Sequence, residues 1–431
     1  MNRSPRFVDR ARRLLASSPG FAWLAGGQSL SYLTVEMWYV VLPLLVLRLN
    51  GSALWMGVVA ASGFAPLLLG SAAAGWWVDQ SSPKEVMLLT ALARAGVFAA
   101  LAAMGLTRTL TLPLLAVGCL ALGFLGVAHA AGKRAAIPDL VPSGEIAFAN
   151  TLDEGSFGVA ELVGTLAGGL AVAWAGPFWA MLAQGGFLLG NAAAVSRLEA
   201  QPEPPAKTTP PTAFGEGFAF YRRGTPRSRA LLWTTLLAVL VYGACTAFLS
   251  FQVFYYGSVL KVGPRDVGWM VAAVSAVALV CSLTSAACIE RFGVGRTMLL
   301  WCAVVCLGLL AAGSSSSAAV VVVGAGLLLG GAKALRGVFT TLLHWYVPRE
   351  MLGRVAGVFS TFAEGAAVFA ALGAGALAKA FGLPFTFQLA GAVAAAGCLV
   401  CLVSPLRALT AKAPESALQG PEVLPPEIAD A

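Results

Sequence analysis

The sequence predicts an all-α polytopic membrane protein: twelve transmembrane helices in two pseudo-symmetric six-helix bundles. Three observations carry that expectation. Only 11% of the 431 residues are charged while 58% are hydrophobic, apolar runs recur along almost the whole length, and features of the first half return in the second. A water-soluble domain keeps its surface wet with about 25% charged residues, and this chain, with a mean hydropathy of +0.81, lacks that surface. The runs are long enough to cross a hydrocarbon core of about 30 Å as helices. A β-barrel needs alternating segments of roughly ten residues, and these runs are continuous.

Twelve spans follow in order: 21–47, 53–78, 86–105, 111–132, 147–175, 177–196, 230–256, 265–289, 297–313, 318–343, 354–379 and 384–404. Residues 1–20 form an Arg-rich, polar arm. The run behind it is too long for a signal-peptide core and lacks an A-x-A cleavage site, so span 1 is expected to be retained. Residues 197–229 divide the chain into bundles of 21–196 and 230–404. That linker opens with the proline-rich stretch Gln201-Pro-Glu-Pro-Pro-Ala-Lys-Thr-Thr-Pro-Pro211, which resists regular structure. Its later part, Phe214 to Arg223, mixes aromatics with a basic end and suits a membrane interface. Residues 405–431 read as a disordered cytoplasmic tail.

Charge sets the topology. Of the 28 lysines and arginines, 20 lie on the side of the termini, 5 on the opposite side and 3 inside spans, which makes both termini cytoplasmic in an inner (plasma) membrane. Ten of the eleven tryptophans sit near span ends, where an indole prefers the headgroup boundary. The net charge of +8 is spread over short loops and gives no nucleic-acid face. All eight cysteines fall inside spans and read as small packing residues, the Cys398/Cys401 pair included, so no disulfide framework is implied. His129 and His344, near cytoplasmic span ends, have no ligand spacing and read as interfacial; no metal or cofactor is expected. No Walker loop, G-x-S-x-G elbow, H-E-x-x-H or dinucleotide fingerprint appears, which leaves ATP-driven transport within the chain and familiar membrane hydrolysis without support.

The halves repeat at matching places. Span 2 ends in Gly75-Trp-Trp-Val-Asp79 followed by Lys84, and span 8 ends in Glu290-Arg291-Phe-Gly293-Val-Gly-Arg296, so each puts an acid and then a base in a short loop. Leu140-Val-Pro142 and Tyr346-Val-Pro348 precede spans 5 and 11, and Gly169 with Gly375 and Gly176 with Gly382 share a 206-residue offset. With these motifs the chain resembles the major facilitator superfamily over essentially 21–404. The family's G-x-x-x-D-R-x-G-R-R loop is matched at Gly75, Asp79 and Lys84, with Gln80 in place of the first arginine, and its second copy at Glu290, Arg291, Gly293 and Arg296. The run Ala136-Ile-Pro138-Asp139-Leu-Val-Pro142, Ala149-Asn150 and Gly164-Thr-Leu-Ala-Gly168-Gly169 is similar to the branch of enterobactin exporters and macrolide efflux proteins. That resemblance implies a monomeric secondary transporter that exports a small molecule, with Gly164-Thr165 standing where the antiporter signature has Gly-Pro. Gly75, Asp79, Lys84, Glu290, Arg291 and Arg296 are then conformational-gate residues.

Charges within spans are the remaining candidates, since each costs at least about 2.5 to 3.5 kcal/mol at a helix centre. Gln28, Tyr32 and Glu36 form an i, i+4 stripe on span 1, read as cavity lining with Glu36 as a coupling carboxyl, against a packing role for the same group. Lys333 and Arg336 on span 10 and Glu364 on span 11 either meet an anionic substrate or neutralise one another. In the resembled family, spans 1, 4, 7 and 10 line the cavity, which sets Lys333 and Arg336 opposite Glu36. On span 5, Glu161 is the deeper coupling candidate, whereas Asp153 and Glu154 lie within reach of Arg94, Lys133 or Arg134. Gly164 and Gly168, with Ala160, make a small-residue stripe for close helix packing, placed by the family near the interface between halves, with Gly169 beside it. Tyr242, with Thr246 and Gln252, offers cavity surface on span 7. The expected partners are a small-molecule substrate, protons and the bilayer. A drug-like compound, a siderophore or another secreted metabolite fits export; an importer or symporter, a non-transporting receptor and a lipid flippase are the alternatives.

Overall fold

The computed structural model describes residues 7–69, 77, 80–199, 213–348, 351–404 and 406. The linker's proline-rich stretch, Gly75, Asp79 and nearly all of the C-terminal tail lie outside them. Among the described residues every long element is helical: α1 Phe7–Ser17, α2 Pro19–Arg48, α3 Ala53–Leu69, α4 Pro83–Leu106, α5 Leu112–Leu140, α6 Ile146–Ala175, α7 Pro177–Ser196, α8 Ala213–Arg222, α9 Pro226–Leu249, α10 Gln252–Ser258, α11 Pro264–Phe292, α12 Val294–Ser314, α13 Ala318–Tyr346, α14 Leu352–Phe381 and α15 Leu383–Val403. Proline stands in the first two positions of α2, α4, α5, α7, α9, α11 and α15, where its missing N–H leaves no helical bond unmade.

Among the described residues eleven helical stretches are long and apolar enough to cross a membrane, with α9 and α10 counted as one. The shorter apolar helix α3 breaks off against undescribed residues, at the place of span 2. The N-terminal arm, read from sequence as merely polar, folds from Phe7 as α1, whose Leu14 is buried. Span 7 is divided at Ser250 and Phe251, where Phe251 N–H bonds three residues back to Phe248 and closes α9.

The helices pack in corresponding pairs. α2 lies against α6 and α7, as α9 lies against α14 and α15; α4 meets α5 and α7, as α12 meets α13 and α15; α3 meets α5, as α11 meets α13. Across the halves α3 packs on α14 and α6 on α11. Both crossings depend on glycine. A Cβ on Gly169 would stand 2.5 Å from Gly268 Cα, and one on Gly57 would stand 2.9 Å from Gly375 Cα. All four glycines lie at the end of the molecule away from the N-terminus, where Gly257 of α10 also meets Leu47 of α2. Gly176 and Gly382 share φ of 86° with ψ of 166° and 161°, left-handed corners between α6 and α7 and between α14 and α15 that a side chain would strain.

Candidate functional site

The site begins with how closely α6 approaches α2. A Cβ on Gly164 would lie 2.8 Å from Glu36 Cβ, and one on Gly168 would lie 3.0 Å from Met37 O. The stripe Gly164/Gly168 therefore seats α6 against α2 inside one half, and of the expected packing glycines it is Gly169 that reaches the other half. Because Glu161 stands one turn before Gly164, this approach brings two carboxyls of facing helices together. Glu36 is 5% exposed and Glu161 is 8% exposed, each far from the loops.

The second half supplies the counter-charge. Lys333 Nζ of α13 forms an ion pair with Glu161, so this pair joins the two halves midway along α6 and α13. Arg336, one turn on, pairs with Glu364 of α14 at 3.5 Å, and its guanidinium lies 5.4 Å from the Tyr242 ring centroid of α9. Tyr242 in turn meets Phe339 edge-on at 5.8 Å. Sequence spacing offers both bases either an anionic substrate or Glu364; the fold pairs Lys333 with Glu161 of the first half and Arg336 with Glu364 of the second. Glu36 feels the charges of Glu161 and Lys333 yet has no hydrogen-bond or ion-pair partner among the described residues. Three acids thus share two bases, and Glu36 is the one left over.

Tyr39 was missed by the sequence reading. It is 53% exposed while the charges of Glu36, Glu161 and Arg336 all act on it, so its ring stands beside the charged cluster. The available signal was its spacing: it follows Tyr32 and Glu36 by seven and three residues, continuing their face.

The lower part of the stripe is committed to other partners. Tyr32 Oη donates to Asp153 Oδ2 at 2.8 Å, and Lys133 Nζ donates to Tyr32 Oη at 2.6 Å while pairing with Asp153. Gln28 is buried, its Oε1 3.1 Å from His129 Nε2, and His129 Nδ1 lies 3.1 Å from Thr90 Oγ1. His129 is therefore a core residue, 2% exposed, rather than interfacial, because both ring nitrogens find partners between α2, α4 and α5. Arg94, within reach of Asp153 by sequence, instead donates to Ser31 Oγ at 3.1 Å. Glu154 stays exposed. Among the expected gate residues, Lys84 donates to the Leu198 carbonyl, tying α4 to the end of α7. Glu290, Arg291 and Arg296 are exposed around the α11–α12 corner at Gly293 and form no ion pair among the described residues.

This geometry is accompanied by clear likenesses. The family model described as Major Facilitator Superfamily matches residues 24–263 and 234–427. The multidrug efflux pump Tap of Mycolicibacterium fortuitum is 27% identical over 365 residues, covering 81% of this chain and 86% of that protein. Among solved structures, the nucleoside transporter NupG superposes with a TM-score of 0.73 at 14% identity, over 89% of this chain and 99% of that one. A bacterial homolog of the human lysosomal transporter Spinster, in an inward-facing and unoccupied conformation, superposes with a TM-score of 0.70 at 15% identity, over 93% and 97%.

Proposed function

The chain belongs to the Major Facilitator Superfamily, and from that premise we propose that it is a proton-coupled exporter of a drug-like compound, siderophore or other secreted metabolite, working by alternating access in the inner membrane. The observation that carries the reading is the unpartnered Glu36 beside the inter-half pair Lys333–Glu161. A proton on Glu161 removes the charge that holds Lys333 and frees the halves to part; Glu36 offers Lys333 a second carboxylate or takes up the proton itself. Titration and rocking are thereby linked through one lysine. The likeness to a relative named as a multidrug efflux pump supports export as the direction.

The architecture we assign is twelve spans in two six-helix bundles, with α3 at the place of span 2. The matched packing pairs and the twin glycine corners support this. The excess of basic residues on the terminal side supports cytoplasmic termini, with Asp79 and Glu290 as gate residues at the ends of spans 2 and 8.

Everted membrane vesicles carrying the protein, presented from outside with a compound panel under an imposed pH gradient, test the reading. The expected result is uptake of at least one compound when the lumen is acid, with loss of lumenal protons in step. Substrate and protons moving in the same direction would make the protein a symporter, and movement indifferent to the gradient would remove proton coupling.

A further inference from the structure

Helix α8 has two apolar sides. One is used: Gly217 stands where a Cβ would lie 2.5 Å from the Arg354 carbonyl of α14, Phe220 and Tyr221 are buried, and Tyr221 Oη lies 3.1 Å from Thr235 Oγ1 of α9. Glu216 pairs with Arg354 and completes the attachment. The other side, Gly215, Phe218, Ala219 and Arg222 at i, i+3, i+4, i+7 spacing, is exposed and with Arg223 lines a shallow, open surface cavity of about 400 Å³.

We propose that this cavity is a binding site for an anionic phospholipid. Its walls divide by chemistry. Phe218, 41% exposed, with Ala219 and Gly215 presents hydrocarbon, and the two arginines close one end. No carboxylate pairs with Arg222 or Arg223 among the described residues, because the nearby acid of the same helix, Glu216, is committed to Arg354. Arg223 stacks on Phe220 at 5.0 Å and donates only to the weakly accepting Met351 Sδ at 3.8 Å. Two planar donor forks without an anion fit a phosphodiester, and the apolar wall beside them fits the start of an acyl chain. A free phosphate satisfies the arginines but leaves Phe218 bare. The helix also lies one short turn before α9, where the long apolar stretch Arg227–Ser258 begins, and Trp233 in the second turn of that stretch suits a headgroup boundary.

Native mass spectrometry of the full chain, purified in detergent and titrated with phosphatidylglycerol or phosphatidylcholine, tests the site. The wild type is expected to prefer phosphatidylglycerol, and Arg222→Gln/Arg223→Gln to lose that preference by roughly tenfold or more. Arg222→Lys/Arg223→Lys keeps part of it, which separates lost charge from lost folding. Arg12→Gln/Arg13→Gln, which removes two exposed arginines of α1, keeps all of it. Equal affinity for both lipids, an unchanged preference in the glutamine pair, or an equal loss in the α1 variant overturns the proposal. Displacement of the lipid by inorganic phosphate at comparable concentration would reassign the arginines to a free anion and overturn it as well.

Discussion

At Glu36, burial and the absence of a partner decide the chemistry. A carboxylate at this depth costs several kcal/mol unless it is neutralised or reached by Lys333, so its charge state and the position of Lys333 are coupled. Glu36→Gln keeps volume and hydrogen-bonding shape; we expect a normally inserted protein that loses uphill transport while keeping downhill exchange, read in vesicles with and without a pH gradient. Uphill transport at wild-type rate with unchanged pH dependence would pass the coupling role to Glu161 or Glu364. The inter-half pair makes a separate claim. Glu161→Gln leaves Lys333 without its partner and should lower stability by about 1 to 2 kcal/mol, after allowance for the partial exposure of Lys333. The charge-swapped Glu161→Lys/Lys333→Glu should recover most of that loss in thermal unfolding, and no recovery would mean that the two residues do not act as a pair. The sequence carried the acids and bases themselves, because charge in an apolar run is conspicuous. It did not carry their pairing, since Lys333 and Glu161 are 172 residues apart and meet only through the packing of the halves.

At the scale of elements, glycine sets the close approaches and the corners. Gly176 and Gly382 hold backbone angles that a side chain adopts only under strain of about 1 to 3 kcal/mol. Gly176→Ala and Gly382→Ala should therefore lower the unfolding midpoint of the purified protein by similar amounts, whereas Gly186→Ala, with open space at its Cβ, should leave it unchanged. Equal midpoints for all three would show that the corners relax. The eleven long helices among the described residues were legible because lipid demands long apolar helices, and the paired corners at Gly176 and Gly382 because each needs the same residue. Harder to see were α1, whose basic residues masked a short amphipathic helix, and the break between α9 and α10, which no proline or glycine marks. The role of the Gly164/Gly168 stripe was legible as packing but not as to partner: small-residue spacing says that another backbone comes near, and only the fold says that it is α2.

The whole molecule is drawn together at the end away from its N-terminus, through Gly169 on Gly268, Gly57 on Gly375 and Gly257 on Leu47. If transport requires the halves to part there, fixing this end should stop turnover without touching the charged site. Leu47 and Gly257 are suited to the test because they join α2 to α10, where a Cβ on Gly257 would lie 2.6 Å from the Leu47 side chain. In a background with the eight native cysteines replaced, Leu47→Cys/Gly257→Cys should form a disulfide on oxidation, arrest uphill transport and recover it on reduction. Substrate binding from the terminal side should survive oxidation, because the bond holds shut only the opposite end. Full cross-linking with undiminished transport would show that this end does not open, and the rocking of two bundles about the Lys333–Glu161 pair would have to be abandoned.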